Sequence, residues 1–357
     1  MKILVYRLGS LGDSIVAIPA LKLIRSKFAD ATITILTNLP IEEKAAPIES
    51  VLKGTNLYDE IIYYPHKLRS VNGLYKLHRQ IRREGFNYLF YLASRKSLAA
   101  VIRDYLFFKL CNIKKLIGFP FNKKDRVPLR EENGLYRHEI KRLLNDIRVI
   151  GKIDLSDRSL LDINISVEEA NFAEELLSAS KIASKFIVVS PGTKQQAKDW
   201  GEDNWQKLIT LLNNYASEFD IIFIGSKDEF ERCEQLRAVY KGRCLNLCGK
   251  ISPRISYAVI RKSLLFIGHD SGPMHLAAAA NVNVIAIFSS HNLPGVWYPW
   301  GNGHKVFYRY VDCMGCYLTE CSTEGKKCIL SISPSEVFEG VKERLDFFIK
   351  KSNLPNL

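Results

Sequence analysis

One carboxylate near the start of the chain stands where an enzyme could place a general base. Asp13 follows a short apolar run, residues 3–5, and a turn that contains Gly9 and Gly12. Glycines let another molecule approach the backbone closely, and a carboxylate at a strand end can take a proton from a hydroxyl group. An aspartate in this position is also a common helix N-cap. The residues around Asp13 leave both interpretations open.

The opening turn is not expected to hold a phosphate group. It has neither the Gly-x-Gly-x-x-Gly fingerprint of dinucleotide-binding proteins nor the Gly-Lys-Ser/Thr of the P-loop. Asp13 stands at the start of the next helix, where its charge would repel an anion. Phosphate recognition is therefore expected elsewhere in the chain.

A second loop, SPGTKQQAKDW at residues 190–200, has the composition of a diphosphate site. It follows an apolar strand-like run and offers Gly192 and Thr193, then Lys194 and Lys198, just before a predicted helix. Backbone N–H groups, a hydroxyl and a mobile ammonium can together hold a diphosphate. A polar surface loop with lysines would have the same composition, so the residues alone do not decide.

A third loop, GHDSGPMHLAAAA at residues 268–280, is the most specific of the three. Asp270, Ser271 and Gly272 end a strand and open an alanine-rich helix, and His275 lies one turn further on. The N–H groups of that helix start are donors for a ligand. His275 could be a core histidine, but its spacing from Asp270 favours a side chain that faces a ligand.

Four of the eight cysteines are clustered late in the chain. The spacing C-x2-C-x4-C-x6-C can supply thiolates for a zinc or iron site, although the usual two C-x-x-C pairs are missing. Reduced thiols or a local disulfide are the alternatives. The cluster consists of Cys313, Cys316, Cys321 and Cys328.

The segments around these motifs alternate between strands and helices in both halves of the chain. Strands that are separated from one another by helices are typical of parallel βαβ units. In the first half we predict strands at 3–6, 32–37, 60–64, 88–92 and 115–118, and helices at 14–28 (kinked or restarted at Pro19), 73–84 and 96–112. In the second half we predict strands at 186–190, 220–225, 264–268 and 283–288, and helices at 203–217, 228–240 and 272–280.

This repetition predicts an α/β protein of two Rossmann-like domains facing each other across a cleft, with ligands beyond the carboxyl ends of the strands. We place the first domain at 1–165 and the second at 166–333. The second domain begins with a predicted helix at 166–182, which has glutamates in its first turn. The last helix, in 334–357, is expected to pack back across the junction. No apolar run reaches the roughly 20 residues of a membrane span, and the first residues do not resemble a signal peptide. The protein is therefore expected to be cytoplasmic.

The positive charge of the chain is concentrated in its first half. Residues 1–165 contain 29 Lys and Arg against 17 Asp and Glu, a net +12, whereas residues 166–357 contain 22 against 21. An excess of this size on one domain favours an anionic partner such as nucleic acid, an acidic membrane surface or a phosphorylated substrate. A basic surface that serves only solubility is the simpler alternative.

Together these loops resemble glycosyltransferase family 9, the heptosyltransferases of the inner core of bacterial lipopolysaccharide. The segments that carry the resemblance are RLGSLGDSIVAIPALKLIRSKF, SPGTKQQAKDWGEDNW and HDSGPMHLAAAANVNVIAIF, with VWYPWGNGH, the late cysteines and PSEVFEGV behind them. It covers nearly the whole chain and implies a GT-B fold. It also implies an ADP-heptose donor bound by the second half and an acceptor bound by the first.

The resemblance also implies roles for single residues. Asp13 falls on the family's proposed catalytic base, while Lys194 and the two glutamines after it depart from the pattern and leave the donor sugar open. An acid after the strand at 220–225, Asp228 or Glu229, would contact the ribose, and Glu229 is our choice. Donor-binding roles fall on Thr193, Lys198, Asp270, Ser271, Gly272 and His275.

The implied chemistry is inverting transfer without a metal or other cofactor. Such a transfer needs a base for the acceptor hydroxyl and stabilisation of the departing diphosphate, for which Lys198 and a helix N-terminus are suited. The acceptor would be an anionic glycolipid at the inner face of the inner membrane, where the enzyme would be peripheral. We predict acceptor contacts at Gly9, Gly12, Arg69 and Arg95.

Three other functions remain compatible with the sequence. A GT-B transferase of a different nucleotide sugar and a sugar-nucleotide epimerase would have the same two-domain form. A basic nucleic-acid-binding protein belongs to a different class, but the first half lacks the basic runs interleaved with aromatic residues that single-strand binders use.

Overall fold

The computed structural model describes residues 1–39, 46–65, 68, 70–322 and 324–352. The chain divides into two compact units, Met1–Asn164 and Ile165–Leu357. The predicted division after residue 165 lies one residue from this boundary. Each unit is built on one parallel sheet, as the alternation of strands and helices predicts.

The first unit contains a five-stranded parallel sheet in the order β3-β2-β1-β4-β5. Its strands are rich in Ile, Leu and Tyr, which suit a sheet that is covered on both faces. They are β1 (Lys2–Tyr6), β2 (Thr32–Asn38), β3 (Glu60–Tyr64), β4 (Tyr88–Tyr91) and β5 (Lys115–Ile117).

Six helices of the described chain belong to the first unit. Helices α3 and α4 pack on one core with the sheet, and α1 packs against α6. Ser70 caps α3 by accepting a hydrogen bond from the N–H of Gly73. The helices are α1 (Leu11–Lys27), α2 (Glu49–Leu52), α3 (Val71–Glu84), α4 (Leu98–Leu110), α5 (Lys123–Arg126) and α6 (Glu139–Asp146).

The second unit contains a six-stranded parallel sheet in the order β11-β10-β9-β6-β7-β8. Read from β8, the order of its strands along the sheet is that of a Rossmann fold, in which the first strand, β6, lies at the centre. The strands are β6 (Phe186–Ser190), β7 (Asp220–Phe223), β8 (Cys244–Asn246), β9 (Leu265–His269), β10 (Val284–Ile287) and β11 (Lys305–Phe307).

Seven helices of the described chain belong to the second unit. Helices α8, α9 and α13 share a core with the sheet, while α10 packs against α7 and α11. The helices are α7 (Val167–Ala179), α8 (Glu202–Ala216), α9 (Phe230–Val239), α10 (Pro253–Arg261), α11 (Gly272–Ala279), α12 (Lys327–Leu330) and α13 (Pro334–Ser352).

The last helix, α13, packs on α8 and contributes Val337, Val341 and Leu345 to the core of the second unit. These three side chains recur at the spacing of one helical face. The helix is therefore part of the second unit's own core. The predicted contact of this helix across the domain junction stays a prediction.

The start of α1 differs from the sequence prediction. The helix begins at Leu11 rather than Ser14, so that Gly12 is a buried residue of its first turn and not part of the preceding turn. The helix also continues through Pro19 without a restart. Gly9 does lie in the turn and has a φ of +126°, a conformation that favours glycine.

Candidate functional site

Four neighbouring strands of the second sheet each lead into a polar residue. Lys198 follows β6, Glu229 follows β7, Asp270 follows β9 and Asn292 follows β10. These strands are adjacent in the order β10-β9-β6-β7, and all are parallel. Their carboxyl ends therefore lie along one edge, where α/β sheets bind ligands.

Lys198, Asp270 and Asn292 form a hydrogen-bonded cluster at this edge. The ammonium of Lys198 lies 2.7 Å from Oδ2 of Asp270, and the amide of Asn292 donates to the same oxygen at 2.9 Å. Burial alone would raise the pKa of Asp270, but Lys198, His275 and Asn292 outweigh it and hold that pKa below its usual value. The cluster therefore contains a buried carboxylate and a cation fixed beside the start of α11.

The start of α11 leaves polar groups available to a ligand. The hydroxyl of Ser271, the N-cap residue, is buried and has no hydrogen-bond partner in the described chain. Gly272 is the first residue of α11, and its N–H is the first backbone donor of the helix. The next residue, Pro273, has no N–H. His275 is buried one turn on and its ring lies 6.0 Å from that of Trp297. A small anion could accept hydrogen bonds from Ser271 and Gly272 together.

Glu229 occupies a different position from Asp228. Its carboxylate accepts a hydrogen bond from the N–H of Ser226 at 2.7 Å, and a Cβ built on Gly192 would lie 2.0 Å from its Cδ. Burial raises the pKa of Glu229 above its usual value. Asp228 is exposed. Of the two acids, Glu229 is thus the one that lies against the loop after β6.

His269 holds the loop after β6 at two points. The N–H of Trp200 donates to Nε2 at 3.1 Å, which leaves the ring proton on Nδ1 to donate to the carbonyl of Gly192 at 3.2 Å. The ring is completely buried, and burial lowers the pKa of His269 to about 4. His269 is therefore neutral at pH 7 and positions both ends of the predicted diphosphate loop.

Arg232 of α9 fastens the same loop from the other side. Its guanidinium makes two hydrogen bonds to the carboxylate of Asp199, at 3.1 and 3.0 Å, and one to the carbonyl of Pro191 at 3.2 Å. Thr193 lies between these fixed points, half-exposed, and accepts only a long hydrogen bond from the N–H of Gln195 at 3.4 Å. The hydroxyl proton of Thr193 can still be donated to a ligand.

Neutral His269 predicts an acid-sensitive second unit. Unfolding returns the pKa of the imidazole from about 4 toward 6.5, so the unfolded chain binds more protons between those values. Stability is lost as pH falls through this window, and between pH 7 and pH 5 the loss is about 2 kcal/mol.

This loss is measured as the difference between the wild type and His269→Gln in free energy of unfolding at each pH. All four tryptophans, Trp200, Trp205, Trp297 and Trp300, lie in the second unit, so their fluorescence reports on it alone. The variant is less stable at pH 7, but the gap narrows by about 2 kcal/mol at pH 5. A gap that is the same at both pH values would show that His269 does not titrate on unfolding.

The four late cysteines line one small cavity together with His291 and Glu324. All four are free thiols, and burial followed by the nearby thiols of Cys328 and Cys316 raises the pKa of Cys313. Within the described ranges, no three His, Cys, Asp or Glu side chains are placed to hold a metal ion. The structure thus brings the four predicted thiols together but does not arrange them as metal ligands.

The segment that contains the four late cysteines, residues 313–328, is hydrogen-bonded to the loop after β6. The N–H of Ala197 donates to the carbonyl of Thr319 at 3.1 Å, and the N–H of Cys321 donates to the side chain of Gln196 at 3.0 Å. Lys326 donates to the carbonyl of Asp199 at 3.1 Å. The segment therefore supports the turn that carries Lys198.

In the first unit, Asp13 is the third residue of α1. Its Oδ2 accepts a hydrogen bond from the N–H of Ser10 at 2.9 Å, which is half of a capping box. Its side chain is 32% exposed. A Cβ on Gly9 would lie 2.3 Å from the Cγ of Asp13, so only glycine leaves room for this carboxylate. The N-cap interpretation is wrong, because the N-cap of α1 is Ser10 and Asp13 stabilises the helix start from the third position. The side chain of Asp13 remains open to solvent, and its role as general base stays a prediction.

Arg7, which the sequence analysis did not select, connects four elements behind Asp13. It donates to the carbonyl of Asp13 at 2.8 Å and to that of Leu92 at 2.8 Å. It also lies 3.4 Å from a carboxylate oxygen of Asp13 and of Glu139, and Glu139 in turn pairs with Arg142. Because Arg7 is buried and makes these contacts, it is a positioning residue for the turn that carries Asp13.

The predicted acceptor residues have different surroundings. Arg95 follows β4, pairs with buried Asp104 at 3.0 Å and donates to the hydroxyl of Tyr6 at 3.2 Å. Tyr91 donates to the same carboxylate at 2.8 Å. Arg69 lies outside the described residues.

Two signals in the sequence point to the residues that the analysis missed. Arg7 directly follows an apolar strand, where a buried cation needs partners from other elements. His269 is the last residue of a buried strand and precedes the selected Asp270. Arg232 and Asn292 carry no comparable signal, because their contacts depend on residues that lie 33 and 22 positions away.

Two Rossmann-type units, each with one parallel sheet, define the class as α/β of GT-B fold, as predicted. A family model described as glycosyltransferase family 9 (heptosyltransferase) matches residues 126–327, more than half of the chain. The protein belongs to this family.

Similar proteins span nearly the whole chain. A lipooligosaccharide heptosyltransferase 2 of Campylobacter jejuni is 23% identical, with 97% of this chain and 98% of the relative covered. The structure of Escherichia coli ADP-heptose LPS heptosyltransferase II has a TM-score of 0.67 at 17% identity, covering 97% and 98%. The structure of E. coli heptosyltransferase WaaC with ADP has a TM-score of 0.63 at 16% identity, covering 96% and 100%.

Proposed function

We propose that the protein is an inverting glycosyltransferase that moves a heptose from ADP-heptose to an inner-core acceptor of lipopolysaccharide. The observation that carries the proposal is the cluster of Lys198, Asp270 and Asn292 beside the unpartnered hydroxyl of Ser271 at one sheet edge. A cation and free donors at a helix start suit a diphosphate. Membership of the family and the names of the relatives support the choice of sugar.

Each group in the second unit has a task in donor binding. Lys198 and the donors of Ser271 and Gly272 would hold the diphosphate and stabilise the negative charge that grows on it as the glycosidic bond breaks. Thr193 would add a hydroxyl donor, and Glu229 would accept a hydrogen bond from a ribose hydroxyl. His275, at the same helix start, would line the donor site.

Asp13 in the first unit would act as the general base. The acceptor hydroxyl attacks the anomeric carbon from the face opposite the diphosphate and gives its proton to the carboxylate of Asp13, while ADP leaves with the bonding electrons. One displacement inverts the anomeric centre. The solvent-open side chain of Asp13 supports this role. Gly9 contributes by leaving room for the Asp13 carboxylate itself.

No metal or other cofactor is needed in this scheme. Lys198 and the start of α11 supply positive potential where the diphosphate would sit, which is the task that a divalent cation performs in many other transferases. The cysteine cavity then serves to support the loop that carries Lys198.

The acceptor would be an anionic glycolipid at the cytoplasmic face of the inner membrane, held by the first unit. A net +12 on residues 1–165 supports an anionic partner. Arg95 would contact the acceptor from its fixed position after β4, together with Arg69 and the turn at Gly9. Gly12 is buried, so it would influence acceptor binding only through the position of the start of α1.

The test is mass spectrometry of reactions with ADP-heptose or UDP-sugars, with and without a panel of truncated lipopolysaccharide acceptors. We expect a product heavier by one heptose only with ADP-heptose and an acceptor, and undiminished after chelation of divalent metals. Turnover of a nucleotide sugar without acceptor would indicate an epimerase instead. Transfer from a UDP-sugar alone would contradict the choice of donor.

A further inference from the structure

Helix α4 carries an unusual row of exposed aliphatic side chains. Leu98, Ile102, Leu106 and Leu110 are 41, 42, 54 and 69% exposed. They recur every four residues, so they form a stripe that winds over about 120° of the helix surface. The opposite side of α4 supplies its buried residues, Val101, Asp104 and Phe108. The core of the first unit therefore does not account for this α4 stripe.

Positive charge borders the α4 stripe. Helix α3 lies beside α4, and His78 of α3 is within 3.1 Å of the carbonyl of Leu110. The only acids on the two helices are occupied, since Glu84 pairs with Lys2 and Asp104 is buried against Arg95 and Arg103. The exposed cations of the two helices are Lys76, Arg79, Arg82, Arg83, Arg103 and Lys109.

Helix α3 extends the apolar surface at its own start. Val71, Leu74 and Tyr75 are exposed there, and the guanidinium of Arg79 lies 5.9 Å from the ring of Tyr75. Aliphatic and aromatic side chains with cations around them are the composition of helices that lie in the interface of a bilayer. In the part of the chain that the structure describes, no helix is long and apolar enough to cross a membrane.

We propose that the α3–α4 face docks on an anionic phospholipid surface, with the α4 stripe inserted among the acyl chains and the surrounding Lys and Arg on the lipid phosphates. The inference rests on the proposed function in one respect, namely that a glycolipid acceptor would be located in a membrane. Docking itself needs neither donor nor acceptor.

Charge argues against a second copy of the chain as the occupant. A two-fold dimer would place the same surface of each copy against the other. The exposed cations of one copy would then face those of its mate, while Glu84 and Asp104, the acids of the two helices, are already paired within their own copy. Anionic lipid headgroups instead neutralise these cations.

The test is co-sedimentation of the full chain, without substrates, with phosphatidylcholine vesicles that do or do not contain phosphatidylglycerol. We expect binding to the anionic vesicles only. The variant Ile102→Gln/Leu106→Gln should bind at least ten-fold more weakly, and Arg79→Gln/Arg82→Gln/Arg83→Gln should lose most of its preference for phosphatidylglycerol. Glutamine is a good helix former, so α4 is retained, and circular dichroism checks this.

The matched control is Val167→Gln/Phe172→Gln, which removes two exposed apolar side chains from α7 of the second unit. It should bind vesicles as the wild type does. Wild-type binding by the stripe variant, or equal binding of the wild type to neutral vesicles, would overturn the proposal. So would a wild type that is dimeric in solution and becomes monomeric with the stripe variant. Turnover on a water-soluble acceptor tests the transferase separately, and we expect it to be unchanged in the stripe variant.

Discussion

Replacement of Lys198 by alanine is expected to reduce kcat by about 10² to 10³, the cost of losing one group that stabilises a developing anion. Lys198 is held 2.7 Å from Asp270 at the end of β9, beside the unpartnered hydroxyl of Ser271. An ammonium already in place needs little reorganisation when the diphosphate gains charge. Steady-state kinetics with ADP-heptose and a soluble acceptor measures the effect.

The same replacement also affects stability, and the two effects can be separated. Loss of Lys198 leaves the carboxylate of Asp270 buried beside the amide of Asn292 without its cation, and breaking a buried pair typically costs about 3–5 kcal/mol. The double variant Lys198→Ala/Asp270→Asn removes the stranded charge, so its Tm should return toward that of the wild type while kcat stays low. Recovery of kcat together with Tm would mean that Lys198 has only a structural role. Lys207→Ala, an exposed lysine on α8, is the control and should change neither quantity.

The sheets were predictable from sequence because their strands are short runs of apolar and β-branched residues. The predictions for β3 (60–64) and β6 (186–190) match the structure at both ends. Strands β8 and β11 were missed. Each has only three residues and lies at an edge of its sheet, where a half-buried strand carries little apolar signal.

The positions of the site loops were predictable for a topological reason. In a parallel sheet the loops after the strands share one edge, so motifs far apart in sequence meet there. The pairing of Lys198 with Asp270 across 72 residues depends on which strands are neighbours, and periodicity does not give strand order. The different surroundings of Glu229, which lies against Gly192, and of exposed Asp228 likewise depend on the fold.

Replacement of Asp13 by asparagine tests the other half of the mechanism. Asparagine keeps an oxygen for the N–H of Ser10, so the start of α1 is retained, and the loss of charge at a helix start costs about 0.3–1 kcal/mol. Asparagine cannot take a proton from the acceptor hydroxyl, and loss of a general base lowers kcat by about 10² to 10⁴.

Donor binding should survive this change, because the predicted donor groups all belong to the second unit. We therefore expect Asp13→Asn to bind ADP with the Kd of the wild type in calorimetry, to lose no more than a few degrees in Tm, and to be nearly inactive. Asp30→Asn, which changes an exposed acid in the same unit, should remain fully active. Turnover near the wild-type rate in Asp13→Asn would remove Asp13 as the base. The role of the Asp13 carboxylate would then be structural, through its hydrogen bond from Ser10 and its contact with Arg7.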